Sequence, residues 1–100
     1  MRITVTARHC EVPAALRAEA DDVMARTAKA AHRPQRGEVV FDADHGKKVV
    51  ELHLSLPRGV VRIATGEADD FRTALDRAAA KLRSQLDKNS GRPRRTRAAS

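Results

Sequence analysis

The sequence holds one cysteine, no tryptophan, no tyrosine and only two phenylalanines in 100 residues. Cys10 therefore has no partner for an internal disulfide, and it cannot build a cysteine-based zinc site without several histidines at ligand spacing, so a reducing compartment suits the chain. The two aromatics, Phe41 and Phe71, both stand at core-type positions, which leaves no exposed ring on which a nucleobase could stack. Long apolar runs are also missing. Residues 1–9 alternate apolar and polar where a signal peptide needs an unbroken apolar stretch, and no segment approaches membrane-spanning length. The expectation is a cytoplasmic protein, neither secreted nor inserted in a membrane.

Catalytic patterns are equally scarce. Gly46-Lys47-Lys48 resembles the end of a phosphate loop, but that loop requires a glycine five positions before Gly46, where Phe41 stands, and a Ser or Thr at position 48. His9, His32, His45 and His53 show none of the i, i+4 helical spacing of a zinc protease. Asp42, Asp44 and His45 cluster beside Gly46, and turn chemistry explains those letters without a metal. No enzymatic activity, cofactor, metal or small-molecule substrate is expected.

Basic charge is what the sequence has in surplus. Twenty Lys and Arg face thirteen Asp and Glu, a net charge of +7. Four of the arginines fall in the last ten residues, which contain no acid, so residues 1–90 carry a surplus of three. A basic domain with a strongly basic tail points to a polyanionic partner, nucleic acid or an anionic membrane surface. At this length only one hydrophobic core can form.

Ile3, Val5 and Ala7 alternate with polar residues, the two-residue period of a strand over about 2–8. Pro13 suits a first helical turn, and Leu16, Ala20, Val23, Thr27 and Ala30 recur at three- and four-residue steps, which predicts a helix running down to His32 before Pro34 stops it. Three strands follow, over 38–43, 49–56 and 60–66, separated by Asp44-His45-Gly46 and Pro57-Arg58-Gly59. Their apolar faces read as Val39, Phe41 and Ala43, then Val50, Leu52, Leu54 and Leu56, then Val61 and Ile63, with Glu51, His53, Ser55 and Arg62 facing water. A second helix opens at Asp69 or Asp70, carries the stripe Phe71, Leu75, Ala78, Ala79, Leu82 and Leu86, and fades near residues 89–91. The fold class is α+β in the order βαβββα: a four-stranded mixed sheet with two helices packed on one face. The short loops make the last three strands an antiparallel meander, and the helical connection makes the first pair parallel. Residues 1–89 form the domain, and the Arg-rich residues 90–100 are expected to be disordered.

Projected at 100° per residue, Arg77, Lys81 and Lys88 fall within about 40° of one another on the second helix, away from its apolar stripe and with no acid among them. Arg72 and Arg83 each have an aspartate four residues on, Asp76 and Asp87, and read as ordinary helix-stabilising pairs. Arg26, Lys29 and Arg33 share a second cationic sector, with Asp22 placed to pair with Arg26, while Lys47 and Lys48 crown a hairpin. Together with the absence of exposed aromatics, these ridges point to phosphate-directed recognition of folded RNA or duplex, which reads shape more than sequence and weakens as salt rises.

With that element order, Thr6-Ala7-Arg8-His9-Cys10-Glu11-Val12 and Lys81-Leu82-Arg83-Ser84-Gln85-Leu86 resemble the two most recognisable stretches of the ribosome hibernation-promoting factors, a family that includes the ribosome-associated inhibitor. Ile63-Ala64-Thr65-Gly66-Glu67 followed by Asp69-Asp70-Phe71-Arg72-Thr73-Ala74-Leu75-Asp76 is similar to the family's strand-to-helix joint. The resemblance covers about residues 1–88. It implies a translation inhibitor of the short form, which binds the ribosome by occupying the mRNA and tRNA channel of the small subunit. Basic helix faces would then meet small-subunit rRNA, with Arg77, Lys81 and Lys88 foremost and Lys29, Arg33, Lys47 and Lys48 behind them. Long members add a C-terminal domain that pairs two ribosomes; here pairing would call for a second, ribosome-dimerising factor. Arg72 stands where many members have tyrosine, and Ser84 and Asp87 where they carry further basic residues, which implies a weaker ridge. The competing readings are a structured-RNA module acting outside the ribosome and an interaction partner of a longer hibernation factor.

Overall fold

The computed structural model describes residues 1–88, save the Lys88 side chain; the expected domain end at residue 89 and the tail 90–100 lie outside the described residues. The elements are β1 (Arg2–Arg8), α1 (Ala14–Ala28), β2 (Arg36–Asp44), β3 (Lys47–Ser55), β4 (Val61–Ala68) and α2 (Phe71–Lys88), with one 3-10 turn at Pro57–Gly59. The strands form one sheet in the order β1-β2-β3-β4. β1 pairs parallel with β2, and β2–β3 and β3–β4 are antiparallel. This is the expected α+β fold.

Local chemistry accounts for the joints. β2 and β3 are connected by His45 and Gly46, both at positive φ (52° and 81°), the backbone of a tight two-residue hairpin turn whose twist matches the strands it joins. Asp70 caps α2: its carboxylate accepts from the Thr73 backbone N–H at 2.9 Å and from the Thr73 hydroxyl at 2.8 Å, filling one of the helix's orphan donors. α1 closes earlier than its apolar spacing predicts. Past Ala28 the backbone tightens into i→i−3 bonds, Ala30 N–H to Thr27 at 3.1 Å and Ala31 N–H to Ala28 at 2.9 Å. Arg33 then takes a left-handed φ of 53° ahead of Pro34.

Both helices cover one face of the sheet. Beneath them Phe41, Met24, Leu52, Leu54, Leu75 and Leu82 are fully buried, each large side chain contributing roughly 1.5–3 kcal/mol by leaving water. Phe71 is only partly buried at the rim of this core and meets Phe41 edge to face, with centroids 5.2 Å apart.

The parity of β4 is the reverse of the expected one. Val61 and Ile63 are about half exposed, at 49% and 51%, whereas Ala64 and Ala68 are buried. Register explains the reversal: Ala64 lies opposite the buried Leu52 and Arg62 opposite Leu54, so Val61 and Ile63 belong to the open face with His53. The cause is steric. A Cβ on Gly66 would lie 2.2 Å from the Ala74 carbonyl and 2.5 Å from the Ala78 nitrogen. Around Gly66, α2 therefore runs too close to β4 to tolerate anything but small residues, and Val61 and Ile63 turn outward.

Candidate nucleic-acid interface

The seven basic residues singled out from the sequence do not form one cluster. Lys47 and Lys48 stand at the hairpin end of the sheet, near the start of α2, because Lys48 pairs with Ala68 at the end of β4. Lys29 caps α1 and Arg33 follows it, at the opposite end of β2. Arg77 and Lys81 lie between these ends on the exposed side of α2. Lys88 closes α2 in its backbone, and its side chain lies outside the described residues.

Their electrostatic settings differ. Arg77 Nη1 donates to the Glu67 carbonyl at 2.7 Å, so its guanidinium is oriented by a neutral acceptor and its charge is not cancelled by a carboxylate. Among the described residues no carboxylate comes within ion-pair distance of Arg77, Lys81, Lys29 or Arg33. Lys47 is partly neutralised by Asp69, with Nζ at 3.1 Å from a carboxylate oxygen. Lys48 is half-buried and sits over the Phe71 ring, 5.4 Å from its centroid, a cation–π contact that ties it to the rim of the core.

Of the other arginines, Arg72 departs from its sequence reading. Arg72 reaches across to α1 and pairs with Glu19 at 2.9 Å instead of with Asp76 on its own helix. Arg26 pairs with Asp22 at 3.1 Å, as its spacing predicts. Arg83 lines a groove between the helices together with Arg26, Asp76 and Ala80, which places it beside a cation and a carboxylate of other turns as well as four residues before Asp87. That proximity comes from helix packing, which no short-range spacing reports.

The open face of the sheet has another character. Arg8 lies 3.6 Å from Asp42 and 3.9 Å from Glu51, His53 lies 3.0 Å from Glu51, and His9 shares a 3.0 Å hydrogen bond with Asp42. Asp42 titrates below the usual carboxylate range, first because of that His9 bond and then because of the Ala43 N–H and the Arg8 charge. Arg8 is spent on carboxylates here, whereas Arg2 and Arg36, exposed on the same face at the far end of β1 and β2, have no carboxylate within ion-pair distance among the described residues. Among the described residues no group of three or more His, Cys, Asp or Glu stands together as metal ligands. No described helix is long and apolar enough to cross a membrane.

Over residues 3–94 the chain matches the family model Ribosomal S30AE, described as sigma 54 modulation protein / S30EA ribosomal protein. The chain belongs to the S30AE family. This is the hibernation-promoting factor group that the sequence resembles, and solved structures agree with the assignment. A ribosomal subunit interface protein from Coxiella burnetii is 25% identical, with a TM-score of 0.80 over 92% of this chain and 100% of that one. The N-terminal domain of Protein Y from Thermus thermophilus is 26% identical, with a TM-score of 0.75 over 88% of this chain and 98% of that one. No curated protein sequence matches the chain. For an S30AE member, the exposed cations of α2 that stand without carboxylate partners among the described residues are the feature that needs a functional account.

Proposed function

We propose that this S30AE chain is a cytoplasmic, ribosome-associated translation inhibitor that acts by occupancy and not by catalysis, its helical side laid on small-subunit rRNA in the channel used by mRNA and tRNA. The observation that carries the reading is the pair Arg77 and Lys81, exposed on α2 with no carboxylate within ion-pair distance among the described residues. Lys29 and Arg33 extend the same chemistry along the helical side, and Lys47 and Lys48 are weaker contributors because Asp69 and Phe71 already engage them. Lys88 belongs to the same ridge by its helical angle. The shortage of aromatics favours phosphate contacts over base stacking.

Sedimentation with ribosomes across a salt series tests this. Contacts to about six phosphates predict that affinity falls by roughly a thousandfold between about 50 and 200 mM salt. The same run with added structured RNA separates ribosome-specific docking from a general RNA module: competition at stoichiometric levels would favour the latter. Binding that does not respond to salt would overturn the electrostatic reading.

A further inference from the structure

Apart from the cationic side, the molecule has a second concave feature, at the end where both helices terminate. A groove of about 660 Å³ is walled by Ala30 and Ala31 after α1, by Leu56, Pro57 and Val60 of the β3–β4 connection, and by Leu86 in the last turn of α2. The volume lies within the range of small-molecule sites. Its wall on the β3–β4 side is a built one: Leu56 N–H donates to the Val60 carbonyl at 2.7 Å, and Arg58 and Gly59 hold positive φ to close that loop.

Arg62 also lines this groove. It occupies a helix-facing register position opposite the buried Leu54, where β4 otherwise carries alanine and glycine. Its Nε is buried without a hydrogen-bond partner, and among the described residues no carboxylate pairs with it. The residue as a whole is only half-buried, so what meets the groove is the rest of a guanidinium that has no carboxylate partner among the described residues, a charge that an anionic group in the groove would complete. At the α1 carboxyl end the Arg26, Thr27 and Ala28 carbonyls accept from backbone N–H groups, and no carbonyl of that end meets the Arg62 Nε. The surroundings add positive charge: Arg33 and Arg58 are exposed next to its lining residues, without carboxylate partners among the described residues. Those full charges outweigh the half-charge of a nearby helix end.

We infer that this groove is a binding site for a small aliphatic carboxylate, its chain against the Ala, Leu, Pro and Val wall and its head group on the Arg62 guanidinium. Among the described lining residues there is no Phe, Tyr or Trp on which a flat ring would stack, and one guanidinium fork matches a single carboxylate. Of the residues around the groove only Arg33 is also among those assigned to RNA, and the site stands whether or not that assignment does.

Decanoate, titrated into the full chain and followed by NMR shifts, is the test, with decanol as the uncharged control. Saturable shifts centred on Ala30, Val60 and Leu86 are expected for decanoate, with decanol binding at least about tenfold more weakly. Arg62→Met should erase that preference while leaving the other resonances in place. Should this variant fail to fold, the contrast between acid and alcohol on the natural chain decides alone. Equal affinity for decanol, undiminished decanoate binding by Arg62→Met, shifts centred on the outer side of α2, or no saturable shift at millimolar decanoate would each overturn the assignment.

Discussion

Arg77 Nη1 donates to the backbone carbonyl of Glu67 at 2.7 Å, joining the exposed side of α2 to the outer edge of β4. Two helical turns on, Gln85 donates to the Ile63 carbonyl at 2.9 Å. On the other edge of the sheet, Arg17 Nη1 reaches the Val5 carbonyl at 3.2 Å. Each edge strand thus has acceptors occupied by side chains from the helix beside it, a protection against pairing with another chain. Lys81 lies in the same i, i+4 row as Arg77 and Gln85, so the residues that guard the β4 edge and those assigned to phosphate share one surface.

Removing the Arg77 head group should therefore have two effects. Arg77→Met is expected to cost about 1 kcal/mol in denaturant unfolding and to promote self-association through the uncovered edge, seen as a concentration-dependent sedimentation coefficient. A variant that stays monomeric and equally stable would show that the contact is incidental.

Gly66 marks where α2 meets β4. Gly66→Ala places a Cβ 2.2 Å from the Ala74 carbonyl, so the helix must shift; a loss of about 1–3 kcal/mol is expected. The denaturation midpoint reads this, and an unchanged midpoint would contradict the close approach.

The two phenylalanines should not be equivalent. Phe41 is fully buried and Phe71 only partly. Phe41→Ala should cost about 3–5 kcal/mol, and Phe71→Ala clearly less, because a half-exposed ring leaves no sealed cavity. Equal losses in thermal or chemical unfolding would mean that Phe71 carries more of the core than its exposure allows.

Acid should weaken the fold through two aspartates. Asp42, bonded by His9, and Asp70, bonded by the Thr73 N–H, both titrate below the ordinary aspartate value in the folded state. A depressed folded pKa contributes stability that is present above the unfolded value and is lost as pH falls through the folded one. The melting temperature should thus drop below about pH 4, and the slope should flatten in Asp42→Asn and Asp70→Asn. An identical acid profile in both variants would contradict this.

Element order and most strand faces were legible because alternation and helical spacing survive folding: Val39 and Phe41, or Val50, Leu52 and Leu54, declare their side without reference to partners. β4 was not. Its strongest apolar letters, Val61 and Ile63, point to the open face, and what places Ala64, Gly66 and Ala68 inward is the closeness of a helix more than hydrophobicity. The α2 ridge followed from angle alone and stands exposed at Arg77 and Lys81. Pairings that need tertiary packing, Arg72 with Glu19, Arg77 with the Glu67 carbonyl and the inward Arg62, leave no mark in local spacing.

If cations on the outer side of α2 hold rRNA phosphate, reversing their charge must release the ribosome. The Arg77→Glu, Lys81→Glu double variant, checked by circular dichroism for an intact fold, should lose small-subunit co-sedimentation at moderate salt, its salt slope falling by about one for each lost contact. Unchanged binding by a folded double variant would contradict the account.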